Sequence, residues 1–158
     1  MTIHFTQTFD PHAFLDTFFS YSSAFGFGAL IGAERQFRQR TAGLRTNALV
    51  ALGAAAFVDL AERIDGDASA VRVIAYVVSG VGFLGAGVIM KDGPNIRGLN
   101  TAATLWCSAA IGACAGSDMI AEGALLTGFI LVANTLLRVV VEWINRHQSS
   151  RIDPVDTE

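Results

Sequence analysis

Polar side chains at the edges of apolar runs are the residues of this chain best placed to do chemistry: Glu34, Arg35, Arg45, Thr46, Asn47, Asn100 and Thr101. Their types suit ion pairing, capping of helix ends and hydrogen bonding to an anion. A charge beside hydrocarbon is expensive unless it pairs or binds something, so a Glu34–Arg45 pair is the expected resolution. The plainer alternative lets both side chains reach into the headgroups. Thr46-Asn47 and Asn100-Thr101 fall at the starts of apolar runs, where free backbone N–H groups favour anions. Singly, each pair reads as a helix cap. Together, with Arg45 and Arg97 nearby, they read equally well as one shared cytoplasmic polar site.

Other chemistries find little support. There is no nucleophile–base pair and no phosphate-binding loop. Gly80-x-Gly82-x-x-Gly85 has the letters of a dinucleotide fingerprint, but it lies inside an apolar run rather than after a strand. Cys107 and Cys114 share one helical face, which suits small buried apolar residues better than a disulfide or metal site. A cation could lodge between Asp16 and Asp59 at the outer end. Oxygen ligands at mid-membrane are few, however: Ser79, Thr104, Ser108, Thr127 and Asn134. The expectation is a protein that is not an enzyme, with no cofactor, no metal site and no nucleic-acid partner.

The elements that must carry these residues follow from composition. Of 158 residues, 52% are hydrophobic and only 16% charged, and the charges are clumped so that long uncharged gaps remain. Each gap approaches the ~20 residues that cross a bilayer as a helix. Five spans result, at about 13–33, 44–61, 71–90, 99–116 and 120–141. Asp10-Pro11 reads as an N-cap with proline at the first helical position. Loops fall at 34–43, 62–70, 91–98 and 117–119, with Gly93-Pro94 marking a tight turn. The amino terminus has no Lys or Arg, no separate apolar core and no cleavage site, so no removable signal peptide is expected.

Two of these hairpins repeat one pattern. GALIGAERQFRQRTAGLRTNALVAL and GFLGAGVIMKDGPNIRGLNTAATLW each join a glycine-rich apolar stretch, a short basic loop and Gly-Leu-x-Thr. Gly43, Leu44, Thr46 and Ala48 stand 55 positions before Gly98, Leu99, Thr101 and Ala103. The fold class is therefore all-α: a polytopic membrane helix bundle of about five transmembrane helices with a parallel repeat of two helical hairpins. Repeat 1 covers about 13–61, repeat 2 about 71–116, and a fifth helix about 120–141. Together they form a transmembrane domain over 1–145, followed by a polar tail at 146–158 that is too short to fold alone.

Basic residues set the orientation. Arg35, Arg38, Arg40, Arg45, Lys91, Arg97, Arg138, Arg146 and Arg151 fall on one side, and only Arg63 and Arg72 on the other. The positive-inside rule puts the amino terminus outside and the carboxyl terminus in the cytoplasm. Trp143 suits an interfacial position just past the last span.

Small residues recur at four-residue spacing. Ala24, Gly28 and Gly32 line one face of the first helix, and Ser108, Gly112 and Gly116 one face of the fourth, leaving Ile111 off that face. In lipid such faces let backbones approach closely. Gly28, Gly32, Gly82, Gly85, Gly112 and Gly116 are the expected packing positions. Contacts within the monomer account for them more readily than a homo-oligomer seam. The glycine-dense third helix also allows a minority reading, a broken helix lining a site.

GALIGAERQFRQRTAGLRTNALVALGAAAF and SGVGFLGAGVIMKDGPNIRGLNTAATLWCSAAIG closely resemble the membrane domain of the MgtC/SapB family, over about residues 25–116. The resemblance implies a bacterial inner-membrane bundle tied to growth in low magnesium and, in pathogens, to virulence and survival inside macrophages. It further implies a regulator of another membrane complex, with ATP synthase as the implied partner, alongside the lipid bilayer itself. By position it points to Glu34, Arg35, Gly43, Arg45, Thr46 and Asn47, and to Gly82, Gly85, Asn100 and Thr101. Family members typically continue into a soluble cytoplasmic domain, which is not expected here. The alternative function is an oligomeric transporter or ion-binding protein for magnesium or another small ion.

Overall fold

The computed structural model describes residues 10–149. It is an all-α bundle: α1 (Pro11–Phe37), α2 (Leu44–Asp65), α3 (Asp67–Val88), α4 (Leu99–Gly116), α5 (Ile120–Val132) and α6 (Arg138–Ser149). A π-helical turn, Ala133–Leu137, joins α5 to α6 so that they form one rod. Arg151 and the end of the expected polar tail lie outside the described residues.

Local signals set the helix ends. Asp10 accepts the His12 N–H through Oδ1, with proline at the first position of α1, as the sequence predicts. α1 runs four residues past its expected end, so Glu34 and Arg35 occupy its last turns. It closes by Gln39 N–H to Gln36 and Arg40 N–H to Arg35, the paired bonds of a Schellman motif, with Gln39 at φ 54°. The expected loop at 62–70 shrinks to one residue: Gly66, at φ 76°, turns the chain straight from α2 into α3. The loop at 91–98 is a β-hairpin instead. Strands β1 (Met90–Asp92) and β2 (Asn95–Arg97) pair antiparallel across Gly93-Pro94, and Gly93 at φ 61° supplies the positive φ that such two-residue turns need.

The centre is a three-helix contact of α1, α2 and α4. α3 packs on α2 and α4, and α5 on α1 and α4. Small residues set it. A Cβ at Gly28 would meet the Ala48 Cα at 2.9 Å, and one at Gly32 the Leu44 N at 2.9 Å. One at Gly112 would meet the Ala51 Cα at 2.9 Å, and one at Gly116 the Ala55 Cα at 2.9 Å. Two faces predicted from the sequence thus close onto one stripe of α2, Leu44, Ala48, Ala51 and Ala55, with Ala51 met from both helices. Gly85 makes only ordinary contact with Ala102, at 3.5 Å. Gly82 corrects its expectation: a Cβ there would meet nothing within 4 Å, because it lies on the outward side of α3. Ile111 lies off the small-residue face of α4, as expected. It is fully buried against Ile31 and Ile130, on the side of α4 that meets α1 and α5.

Leu44–Asp65, Asp67–Val88 and Ile120–His147 are long and apolar enough to cross a membrane. α4 carries more polar groups, but ten of its eighteen residues are buried, so neighbouring helices shield it from lipid. Large apolar side chains such as Tyr76, Phe83, Leu125 and Phe129 cover the outside of α3 and α5. In water this surface would aggregate; against hydrocarbon it is at rest. The chain is a membrane protein.

Candidate functional site

At the end of the bundle where α1 stops and α2 and α4 begin, Arg35 is only 2% exposed. The extra turns of α1 point it inward. Its Nη2 donates to Thr101 Oγ1 at 2.6 Å and to the Thr41 carbonyl at 2.9 Å, and its Nη1 to Thr104 Oγ1 at 3.3 Å. Its Nε donates to the Thr41 and Ala42 carbonyls at 3.2 and 3.3 Å. No carboxylate is bonded to it among the described residues, so carbonyl and hydroxyl dipoles offset the cost of burying its charge.

Asn47, fully buried, is a second node. Its Nδ2 donates to the carbonyls of Ala42 at 2.6 Å and Gly43 at 3.0 Å, while its Oδ1 accepts from Ser108 Oγ at 2.9 Å. Arg35 and Asn47 therefore hold the inward-turned carbonyls of the loop between α1 and α2, and each also ties that loop to α4. Thr101, Thr104 and Ser108 are the α4 partners. Their i, i+3, i+7 spacing was the signal that one helical face carries all three hydroxyls.

The remaining predicted residues separate. Glu34 pairs with Arg38 one turn on in its own helix, not with Arg45. Arg45 and Thr46 lie on the far side of α2. They border a groove of about 640 Å³ between α2 and α3, walled by Leu49, Phe57, Tyr76 and Leu84. Thr46 and Thr101, equivalent in the repeat, thus face opposite surroundings. Nor do the two polar pairs cap their helices: the N-caps are Gly43 and Gly98, without side-chain bonds. Asn100 is exposed and reaches Asn134 of the π turn, Nδ2 to Oδ1, at 3.5 Å.

Glu34, Arg35, Asn100 and Thr101 line one cavity of about 500 Å³, which also takes in Arg40, Asn134, Arg138 and Glu142. The basic-residue count placed Arg138 at this end; that Arg138 and Asn134 line one cavity with Glu34 and Asn100 was not legible, because it depends on how the fifth helix packs against α1 and α4. At the opposite end, Asp59 accepts from Arg63 Nε at 2.7 Å and from the Tyr21 hydroxyl at 3.0 Å, so it is engaged and not paired across a cation with Asp16. Ser20 donates to Asp118 there at 2.9 Å. Cys107 packs beside the Ile31–Ile111–Ile130 cluster.

The model of the MgtC family matches residues 22–143. The chain is 59% identical over 121 residues to the protein MgtC of Brucella abortus (strain 2308), covering 77% of this chain and 51% of that protein. It is 59% identical over 119 residues to the protein MgtC of Salmonella typhimurium (strain LT2), covering 75% of this chain and 51% of the relative. The chain therefore spans about half the length of the curated relatives it matches. No solved structure matches it. The family match takes in the Arg35 node, the Asn47 node and the fifth helix alike, and the chain belongs to the MgtC family.

Proposed function

We propose that this protein is a non-enzymatic regulator in the bacterial inner membrane, serving adaptation to low magnesium or survival inside macrophages by acting on another membrane complex, such as ATP synthase. The observation that carries the regulator reading over a transporter is where the molecule is solid. α1, α2 and α4 meet backbone against backbone at Gly28, Gly32, Gly112 and Gly116, along the axis that a permeation path between the repeats would need. The polar cavity lies at the end where α1 stops and is floored by Arg35. The outward apolar faces of α3 and α5 offer surface to a second membrane protein.

The amino terminus is periplasmic in this reading and the Arg35 end cytoplasmic, from the nine-to-two division of basic residues. Reporter fusions at Arg40 and Gly93 are expected to read cytoplasm, and one at Asp65 periplasm. A periplasmic signal at Arg40 reverses the orientation.

The site itself is tested through Asn100. It is exposed and caps no helix, so Asn100→Ala is expected to insert normally and change stability by less than about 0.5 kcal/mol, as surface substitutions usually do. In a strain lacking its own copy, the variant is nonetheless expected to fail to restore growth in low magnesium. Normal growth at normal protein level would leave Asn100 without a functional part.

A further inference from the structure

We propose that the cavity bounded by Arg35, Arg40, Asn100, Asn134 and Arg138 binds the phosphate group of an anion, whether a free phosphate or a lipid headgroup. The proposal rests on the reading that this cavity is the functional site, and it names the ligand.

Charge comes first. Four arginines line the cavity, Arg35, Arg38, Arg40 and Arg138, against two glutamates. Glu142 is engaged by Arg138 at 2.8 Å, and Glu34 is ion-paired with Arg38 at the C-cap of α1, although its buried Oε1 accepts no hydrogen bond. Arg35 and Arg40 then have no carboxylate partner among the described residues, and the cavity holds net positive charge. A cation would have to compete with the arginine beside each glutamate, while the two unmatched arginines favour an anion.

The second observation is a donor without an acceptor. Asn134 Nδ2 is buried, lines the cavity and has no hydrogen-bond partner. A buried amide left unpaired is costly, and an anion oxygen would satisfy it. Asn134 stands in the π turn, a distortion that recurs at functional sites because it redirects one side chain out of helical register. Gly98 and Asn100 add the N-terminus of α4, which has no side-chain cap, to the same wall.

Size and lining narrow the class. About 500 Å³ is far more than a bare halide fills, and Leu137 and Val141 give one wall an apolar surface. A tetrahedral oxyanion against guanidinium forks, with its carbon portion on the apolar wall, fits both features.

The test uses the full chain in alkyl maltoside micelles, which carry no phosphate, and reads the thermal unfolding midpoint, because a ligand that binds only the folded state raises it. Inorganic phosphate is expected to raise the midpoint over chloride at matched ionic strength, or phosphatidylglycerol added to the micelles is expected to raise it without free phosphate. The first result assigns a soluble phosphate, the second a headgroup, and either supports the site. Arg40 is exposed, so Arg40→Gln folds; it is expected to weaken the effect about tenfold, the loss of one charge-assisted contact. Asn134→Leu is expected to remove it, and Arg45→Gln, in the other groove, to leave it unchanged. No shift in either arm, or an Arg40→Gln titration equal to wild type, overturns the proposal. Growth of Arg40→Gln in low magnesium, scored separately, decides the regulatory reading whatever the binding result.

Discussion

Gly112→Leu is expected to destabilise the bundle by about 3 kcal/mol or more, the upper range for overpacking. A side chain at Gly112 points into the Ala51 carbonyl, with the Ala51 Cα 2.9 Å from the first added carbon. The obstacle is backbone, which cannot rotate away, so α4 and α2 must separate. Separation opens the neighbouring Gly116–Ala55 contact on the same face, and the loss spreads along the helix. Helix propensity opposes this only weakly, since removing a helical glycine gains at most about 1 kcal/mol. Gly53→Leu and Gly82→Leu are the controls. Both positions face open space, so the propensity gain stands alone and stability should hold or rise slightly. The measurement is the thermal midpoint in detergent, followed by circular dichroism. Equal losses at Gly112 and Gly82 would mean that the close approach of α2 and α4 is wrong.

Arg35→Leu is the second large effect, expected at about 2–4 kcal/mol. Leucine matches the apolar stem of arginine but strands the Thr41 carbonyl, which costs about 1–3 kcal/mol, while the Ala42 carbonyl keeps Asn47 Nδ2 at 2.6 Å. Thr101 and Thr104 suffer less, because Thr101 keeps Thr41 Oγ1 at 3.1 Å and Thr104 keeps the Asn100 carbonyl at 2.8 Å. Arg35→Lys keeps the charge, but a single ammonium cannot span the fork from Thr41 to Thr104, so an intermediate loss is expected. Glu34→Gln, which removes only an i,i+4 pair, should cost about 0.5 kcal/mol or less. Combining Arg35→Leu with Thr101→Val should cost less than the two separate losses added together, since the second change removes a hydroxyl that the first had already deprived of a donor. Strict additivity in this double-mutant cycle would show that Arg35 and Thr101 do not interact.

The sequence by itself determined the helical membrane bundle, the cap at Asp10 and the small-residue faces of α1 and α4. Each is written locally: lipid forces apolar stretches of fixed length, capping needs one side chain, and close helix contact needs small residues at four-residue spacing. It also singled out polar residues at the right end of the bundle. What only the tertiary structure decided is which of them meet. Glu34 and Arg45 are close along the chain, but the extra turns of α1 and the rotation of α2 put them on different sides of the bundle. Thr46 and Thr101 match in the repeat yet part company, because the side of α2 that carries Thr46 looks toward α3 while Thr101 looks toward Arg35. Gly82 repeats the pattern of the packing glycines and packs against nothing, since α3 turns that side outward. Asn134 joins the site from a helix whose sequence reads as a plain apolar span. Periodicity gives each helix a face; the order in which helices surround one another decides what that face meets, and that order is set by the whole bundle at once.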